Sequence, residues 1–345
     1  MKYLGIYAYI NPRSERMFGE LNNVLLHLVT KGPKFDLNVF VFDADGFRGL
    51  GKTIVGYSHT NGKWTRGQFP FPHVIYNRHL DYKLSEKGLR IKRELEQSNI
   101  PFFNEHFGHK LKVQRRLEGM NGFKDKLYFP WTATYKGKSH LKQAMKRFPE
   151  LYVKPKSGTQ GKGVLKIESE QRRVYLNNKS HDFTDVDSLV SFVDQKVTDN
   201  YLVQEGIKIR KVDGKLVDLR VLVQNNGVKW ETLAIMARLG AKGKHVTNIH
   251  QGGSALGYEE LAQRINVPDK ETIVGVSASI GKLLSRDANI AELGLDFLID
   301  VNGRLCFVEA NPRPGRRLLR LLGKDSIREK SLEYLLRYAK SLVEV

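Results

Sequence analysis

Hydrophobic residues in the first hundred positions fall into short continuous runs separated by amphipathic segments. Segment 20–28 has the spacing of a helix, and strands that alternate with helices favour a parallel α/β sheet. The glycine-rich segment 46–67 shows no regular pattern, and we predict that it is irregular. Three runs are typical of buried strands: Tyr3–Ile10, Leu37–Asp43 and His73–Asn77.

A strand that carries one lysine, a glycine-rich loop and a second strand follow in the middle of the chain. Lys154 lies in the first strand, Leu151–Pro155, and the loop Ser157–Gly163 reads SGTQGKG. Closely spaced glycines let backbone N–H groups approach phosphate oxygens. The loop is not a Walker A loop, because its last glycine is followed by valine rather than by lysine and serine or threonine. A plain hairpin turn is the alternative interpretation.

Polar residues interrupt two further apolar runs. Gln204 and Glu205 break the predicted strand Tyr201–Ile209, which is typical of a hinge between two lobes. Asp218 and Arg220 fall on one face of the next strand, because side chains alternate along a strand. They are either part of a site or an ordinary surface ion pair.

The last pair of apolar runs flanks Asn302 and Gly303, which is the sequence signal of a two-residue type I′ hairpin turn. In that register Asp296 faces Glu309 with the two Cβ atoms roughly 5 Å apart. Asn311 lies on the same face as Glu309. Opposed carboxylates with a neighbouring amide oxygen suit a hard cation such as Mg²⁺. An exposed hairpin with ordinary charges is the alternative.

The composition narrows the class of protein. The 345 residues include 57 Lys and Arg against 37 Asp and Glu, a formal net charge of +20, which indicates anionic partners. No apolar run approaches the roughly 20 residues that span a bilayer, and the first run is too short for a signal peptide. A single cysteine, Cys306, excludes an intramolecular disulfide and agrees with a reducing cytoplasm.

The order of these motifs resembles the ATP-grasp superfamily from about Lys110 to Arg317. A lysine strand with a glycine flap is followed by QEG, DLR, a later arginine, TNxxxGG and finally D…EANP. VIYNRH, IPFFNEHFGHK and DLRVLVQ are similar to the endospore coat-associated ATP-grasp proteins of spore-forming bacteria. The resemblance implies an N-terminal parallel α/β domain, residues 1–105. It is followed by two ATP-grasp lobes, residues 106–205 and 206–345, with ATP between two antiparallel sheets.

The resemblance also implies residue roles. ATP would be bound by Lys110, Lys154, Ser157, Gly158, Gly161, Gly163, Gln204, Glu205, Ile207 and Asp213. One or two Mg²⁺ ions, with Mn²⁺ as the alternative, would be held by Asp296, Glu309 and Asn311. The catalytic residues would be Arg220, Arg238 and Asn248, and a carboxylate substrate would be bound by Gly252, Gly253, Arg313 and Arg316. Lys112 is an alternative to Lys110, Asp213 is equally typical of a turn, and Arg316 also fits a solvated basic run.

The activity that the resemblance implies is ATP- and Mg-dependent carboxylate–amine ligation through an acylphosphate. A kinase acting on a small acceptor and a basic ATP-binding spore-coat scaffold without turnover are the alternatives. The excess positive charge favours an acidic or peptide substrate. The dispersed tryptophans Trp64, Trp131 and Trp230 argue against nucleic acid. We expect a cytoplasmic or spore-associated protein without a membrane span, and the sequence leaves the oligomeric state open.

Overall fold

The computed structural model describes residues 1–79, 85–105, 107–119, 126–156, 163–177, 179–241 and 252–344. The strands in these ranges form three sheets, one mostly parallel and two antiparallel. None of the helices described there is both long enough and apolar enough to cross a bilayer.

The first sheet has the strand order β4-β3-β2-β1-β5-β6, with parallel pairing of β1 to β2 and β5 and of β5 to β6. Its strands are β1 (Lys2–Tyr7), β2 (Leu37–Phe42), β3 (Ile54–Thr60), β4 (Lys63–Phe69), β5 (Val74–Asn77) and β6 (Phe102–Phe103). Two α-helices accompany them, α1 (Asn22–Lys31) and α2 (Glu86–Glu96), with two 3₁₀ turns at Gly19–Leu21 and Gly32–Phe35. The predicted parallel α/β core is confirmed.

The prediction that segment 46–67 is irregular is wrong, because β3 and β4 form an antiparallel hairpin there. Asn61 and Gly62 connect the two strands with φ of 50° and 76°, the positive values that a type I′ turn requires. Strand β4 alternates polar and partly buried residues at the edge of the sheet. Its low hydrophobicity hid the strand, although the Asn-Gly pair was the available signal.

The second sheet is antiparallel, in the order β11-β10-β9-β8-β12-β7. Its elements are α3 (Lys110–Glu118), β7 (Thr132–Thr134), α4 (Lys138–Arg147), β8 (Glu150–Pro155), β9 (Leu165–Glu168), β10 (Arg173–Leu176), β11 (Lys179–Asp182), α5 (Val186–Asp194) and β12 (Tyr201–Glu205). Helices α4 and α5 cover it with apolar side chains such as Leu141 and Leu189. The predicted lysine strand is β8, and β12 carries the polar hinge residues.

The third sheet is antiparallel in the order β16-β15-β14-β17-β18, with β13 paired to β14. Its elements are β13 (Lys211–Val212), β14 (Lys215–Asn225), β15 (Trp230–Leu239), β16 (Ser254–Gly257), α6 (Tyr258–Arg264), α7 (Lys270–Leu284), β17 (Glu292–Ile299), β18 (Leu305–Asn311), α8 (Arg317–Leu321) and α9 (Asp325–Ser341). Helix α7 contributes Ile273, Val276 and Ile280 to the large core beneath this sheet.

The turn between β17 and β18 differs from the prediction. Ile299 pairs with Leu305, which leaves the three-residue loop 301–303, and the φ of Gly303 is 82° whereas that of Asn302 is not positive. The register then shifts between Asp296 and Phe297. The predicted two-residue turn is wrong, yet this bulge, which adds Val308, restores the predicted pairing of Asp296 with Glu309.

Helix α9 packs into the core of the first sheet rather than against the third sheet alone. Leu332, Leu335 and Leu336 are buried in one cluster with Leu4 and Leu25. The predicted third unit, residues 206–345, therefore shares a hydrophobic core with the predicted first unit, residues 1–105.

Candidate functional site

Lys154 is a buried cation whose ammonium is bonded to an amide oxygen. Its side chain leaves β8, and Nζ donates to Gln204 Oε1 on the neighbouring strand β12 at 2.6 Å. Gln204 is held in turn because its Nε2 donates to Thr132 Oγ1 at 2.8 Å. Lys154 is 8% exposed, and burial, reinforced by the Lys110 ammonium, lowers its pKa to about 8. A buried ammonium of this kind gains most from an anionic ligand.

Lys110 and Glu309 form the second part of the site. Lys110 opens helix α3, and its Nζ lies 2.9 Å from Glu309 Oε2. Asn311 Nδ2 donates to the other carboxylate oxygen, Oε1, at 3.0 Å. Burial alone would raise the pKa of Glu309, but Lys110, Asn311 and Lys154 together lower it to about 2. Lys112 is exposed on α3, so the structure places Lys110 rather than Lys112 in this cluster.

Two arginines meet Asp296 on the adjoining strands. Arg220 is its Cα partner across β14 and β17, and Arg220 Nη2 donates to Asp296 Oδ2 at 2.9 Å. Arg238 Nη2 lies 3.0 Å from the same oxygen, and Arg238 also donates from Nε and Nη2 to the two carboxylate oxygens of Asp218, each at 2.7 Å. Asp218 therefore binds Arg238, and Arg220 binds Asp296.

The opposed carboxylates of the hairpin are neutralised by the chain itself. Two arginines lie at Asp296, and the Lys110 ammonium lies at Glu309. Within the described ranges, no group of three or more His, Cys, Asp or Glu is arranged to hold a metal ion. The donor set of Asp296, Glu309 and Asn311 still fits Mg²⁺, since it consists of two carboxylates and an amide. A bound ion would exchange with the arginine and lysine contacts.

A pocket of about 600 Å³ adjoins Lys154 and Gln204. This volume lies in the range of small-molecule sites. Its apolar lining includes Ile207, Ile209, Leu298 and Phe307. At its rim, Lys166 Nζ lies 2.7 Å from Glu150 and 3.0 Å from Glu168. An apolar slot with a cationic end can take a flat ring attached to an anionic group.

Glu205 lines the same pocket, and its carboxylate is fixed by the segment that precedes β7. Glu205 Oε2 accepts from the Tyr128 hydroxyl at 2.7 Å and from the Trp131 backbone N–H at 3.1 Å. Burial raises the pKa of Tyr128 to about 12, and the Glu205 carboxylate acts in the same direction. The side chain is therefore turned toward residues 128–131.

Asp213 lies in an exposed turn. Its side chain is 74% exposed, its φ is 51°, and its carboxylate accepts from Arg264 Nη1 at 3.2 Å. The neighbouring Gly214 and Lys211 line the pocket. The structure therefore gives Asp213 a surface partner, which agrees with the alternative that it is a turn residue.

The predicted substrate residues are dispersed. Gly252 and Gly253 precede β16, whose Ala255 is the Cα partner of Arg238. Arg313 Nη2 donates to the Asn104 carbonyl oxygen at 3.3 Å, beside the hairpin end. Arg316 is buried and bonds to Glu292 and Ser331, outside this cluster.

Several predicted residues cannot be placed in the cluster. Gly163, the last residue of the glycine loop, has a φ of 72°. Four predicted residues lie outside the described ranges: Ser157, Gly158, Gly161 and Asn248.

The sequence did not predict the group of donors around one buried carboxylate, that of Glu292. Glu292 is 0% exposed and accepts from Tyr76, Arg78, Asn104 and Arg316 at 2.7–3.1 Å. Its partners come from β5, from the end of β6 and from the segment before α8. The only signal was a charged residue at the start of an apolar run, which does not identify distant partners.

A family model described as YheC/D like ATP-grasp matches residues 99–342. The chain belongs to this ATP-grasp family. Its match to the endospore coat-associated protein YheD of Bacillus subtilis is 29% identical over 347 residues and covers 93% of the chain and 75% of that protein. These findings confirm the predicted ATP-grasp fold and the resemblance to the endospore coat-associated group.

Family similarity extends to proteins named as ligases. A probable α-L-glutamate ligase of Legionella pneumophila is 26% identical over 192 residues, covering 56% of the chain and 52% of that protein. The structure of D-alanyl-alanine synthetase A from Vibrio cholerae superimposes with a TM-score of 0.61 at 12% identity. That superposition covers 100% of this chain and 99% of the other, and at such identity it shows the shared fold alone.

Proposed function

We propose that the protein is an ATP-dependent ligase that joins a carboxylate to an amine through an acylphosphate. The observation that carries this proposal is one cluster at the end of the pocket. It combines two lysines, two arginines and three oxygen donors on β8, α3, β14, β15, β17 and β18. Such a cluster neutralises a polyphosphate and needs no covalent nucleophile, which is the usual arrangement for phosphoryl transfer.

The nucleotide is proposed to occupy the 600 Å³ pocket, with its base between the apolar residues and its phosphates at Lys154 and Lys110. Lys154 gains most on binding, since its buried ammonium then has an anion rather than an amide oxygen as its partner. Gln204, Glu205 and Ile207 would line the base edge, partly through the hinge backbone. The loop that contains Ser157, Gly158 and Gly161 is proposed to close over the phosphates.

Asp296, Glu309 and Asn311 would hold Mg²⁺ when it is bound. The ion would neutralise the phosphate oxygens as charge develops on them. The chain's own part is to keep Glu309 ionised, which its low pKa ensures at any physiological pH. Arg220 and Arg238 remain close enough to turn from the carboxylates to a phosphoryl oxygen.

The proposed reaction has two steps. A carboxylate oxygen of the acid substrate attacks the γ-phosphorus, the bond from that phosphorus to ADP breaks, and an acylphosphate forms. An amine nitrogen then attacks the acyl carbon, the carbon–oxygen bond breaks, and phosphate leaves as the amine proton passes to solvent. Arg220, Arg238 and Asn248 would stabilise the transferred phosphoryl group, and Arg313 with Gly252 and Gly253 would position the carboxylate.

The ligase reading is preferred to a kinase because the relatives support it. One sequence relative is named a glutamate ligase and one structural neighbour a D-alanyl-alanine synthetase. The similarity to YheD, named as endospore coat-associated, supports a location at the spore. We therefore propose association with the spore coat together with turnover.

Hydroxylamine trapping tests the reaction. The protein is incubated with Mg-ATP, a panel of amino acids and acidic peptides, and hydroxylamine, which converts an acylphosphate to a hydroxamate. We expect hydroxamate with the native protein and none with Lys154→Met, which keeps the length of the side chain but removes its charge. Formation of ADP together with a phosphate ester on a hydroxyl group, without hydroxamate, would establish the kinase instead.

A further inference from the structure

Three basic side chains beside the site have no anionic partner in the described part of the chain. Lys112 and Arg115 are exposed on helix α3, and Lys156 is half-buried just after β8. Within that part of the chain, no Asp or Glu oxygen lies within 4 Å of any of the three. We call these three residues the α3 basic surface.

This surface adjoins the cluster at the end of the pocket. Helix α3 begins at Lys110, whose Nζ contacts Glu309, and Lys156 lies two residues after Lys154. His109 caps α3, accepting from the Lys112 backbone N–H at 3.4 Å. Burial lowers the pKa of His109, and the charges of Lys156, Lys112 and Arg115 lower it further, so all three cations act on one imidazole.

Most basic residues near it are neutralised. On the same helix, Arg116 Nη2 lies 2.6 Å from Asp287, and in the pocket rim Lys166 contacts two glutamates. Single lysines without a carboxylate contact do occur elsewhere, for example Lys146 and Lys282, but each lies on a different helix. Within the part of the chain that the structure describes, Arg90 and Arg93 on α2 are also grouped without a carboxylate contact, so the α3 basic surface is distinguished by its place on the helix that carries Lys110.

The spacing of the charges selects the kind of ligand. Lys112 and Arg115 are three positions apart on a helix, which places their Cβ atoms about 5–6 Å apart. Same-face side chains in an extended peptide repeat about every 6.6 Å. Acidic residues at alternate positions of a peptide thus match the two cations. Three cations are few for a nucleic acid duplex, whose binding proteins make roughly 6–10 phosphate contacts.

We propose that the α3 basic surface docks an acidic segment of a polypeptide substrate beside the reacting centre. This inference adds a docking site to the proposed function. It rests on that function, because the docked polypeptide is a substrate only if the protein is a ligase. A segment held at Lys112 and Arg115 lies next to the helix end that carries Lys110. Docking there raises the local concentration of the reacting carboxylate or amine without adding a contact to the nucleotide.

Direct binding tests this proposal without requiring turnover. Fluorescence anisotropy is measured with a labelled peptide of four Glu-Gly repeats and with a matched peptide of four Gln-Gly repeats. The variant is Lys112→Gln with Arg115→Gln, and the control is Lys146→Gln with Lys282→Gln, which removes the same charge from exposed positions on α4 and α7. Lys156 is left intact because of its closeness to Lys154.

We expect the acidic peptide to bind better than the neutral one at low salt. We also expect the α3 variant to bind the acidic peptide about three- to tenfold more weakly, which is the effect of losing two exposed ion pairs. The affinity of the control variant for this peptide should change by less than about twofold. Equal binding of the two peptides, or equal loss in both variants, would overturn the proposal. So would a single-stranded DNA octamer that binds more tightly than the peptide and is weakened by the α3 variant.

The hydroxamate assay separates this proposal from the proposed function. If the acidic peptide binds through Lys112 and Arg115 while no substrate yields hydroxamate, the ligase proposal fails and the docking surface stands. If hydroxamate forms while the α3 variant behaves as the control does, the docking proposal fails and the ligase stands.

Discussion

Strand β17 carries two buried carboxylates four residues apart, and each of them meets two arginines. Glu292 is 0% exposed and its arginines, Arg78 and Arg316, are also buried. Asp296 is 4% exposed, but Arg220 and Arg238 keep 15% and 18% of their side-chain surface accessible. A carboxylate held by two arginines thus occurs once in the closed interior and once at the edge of a pocket.

The difference lies in what else each pair of arginines can contact. Around Glu292 the other partners are neutral donors, the Tyr76 hydroxyl and the Asn104 amide, so this carboxylate is the anion shared by both arginines. Around Asp296 there are further acceptors, since Arg238 also bonds to Asp218. A ligand can exchange places with a carboxylate only in the second setting. We infer that Glu292 serves stability and that Asp296 serves binding.

The largest effect is expected for Glu292→Gln. Loss of the charge leaves two buried arginines without their counter-ion, which costs about 3–5 kcal/mol of the free energy of unfolding. Urea unfolding and the melting temperature measure this effect. Glu260→Gln is the control, since its pair with Arg264 is exposed and should change stability by less than about 0.5 kcal/mol. A loss below about 1 kcal/mol for Glu292→Gln would remove the distinction between the two carboxylates.

The opposite outcome is expected for Asp296→Asn. Both arginines are partly accessible to water and Arg238 keeps its bonds to Asp218, so stability should fall by less than in Glu292→Gln. ATP turnover should fall about 100-fold, the size of effect typical when one charge-stabilising group is removed from an active site. The two readouts are the melting temperature and the rate of ADP release. A variant that is unstable but retains its turnover per folded molecule would make Asp296 a second structural residue.

A smaller effect follows from the lowered pKa of Lys154. The ammonium form of Lys154, which binds phosphate, predominates when the pH is below its pKa of about 8. ATP affinity should therefore fall as the pH rises through that value. Between pH 7 and pH 9 the decrease should be about tenfold. Lys154→Arg keeps its charge over this range, and its ATP affinity should depend less on pH. Isothermal titration at each pH gives both curves, and parallel curves would show that another group titrates.

The smallest effect is expected for Asp213→Asn. This carboxylate is exposed and has Arg264 as a surface partner, so it resembles neither Glu292 nor Asp296. We expect the Michaelis constant for ATP to change by less than about twofold and stability by less than about 0.5 kcal/mol. A tenfold rise in the Michaelis constant would instead restore Asp213 to the nucleotide site.

The hydrophobic pattern of the sequence predicted those strands whose apolar residues form a continuous run. Strand β2 (Leu37–Phe42), for example, lies within the predicted buried run Leu37–Asp43. Two of the Asn-Gly pairs show the limit of such patterns. Asn61-Gly62 makes the type I′ turn, whereas Asn302-Gly303 belongs to a three-residue loop whose shift is compensated by a bulge at Val308. Strand pairing, rather than the dipeptide, decides the turn.

Side-chain types predicted which residues belong together only when strands brought them into register. Asp296 and Glu309 are neighbours in the predicted hairpin, and their pairing is confirmed. Arg316 also had a suitable charge, but the contact that fixes it, Glu292, lies 24 residues earlier, and its other partner, Ser331, lies on α9. Sequence spacing carries no information on which buried carboxylate an arginine will meet. The predicted roles of Asn248 and the glycine loop stay predictions.

The packing of α9 against the first sheet has a consequence for biosynthesis. Leu335 and Leu336 complete a core that begins with Leu4 and Ile6. At roughly 5–20 residues per second, about a quarter of a minute to a minute passes between the synthesis of the first and the last of these residues. During that interval the first sheet exposes an apolar face. The nascent chain is then a client for chaperones, and it acquires its full protease resistance only after the final helix leaves the ribosome.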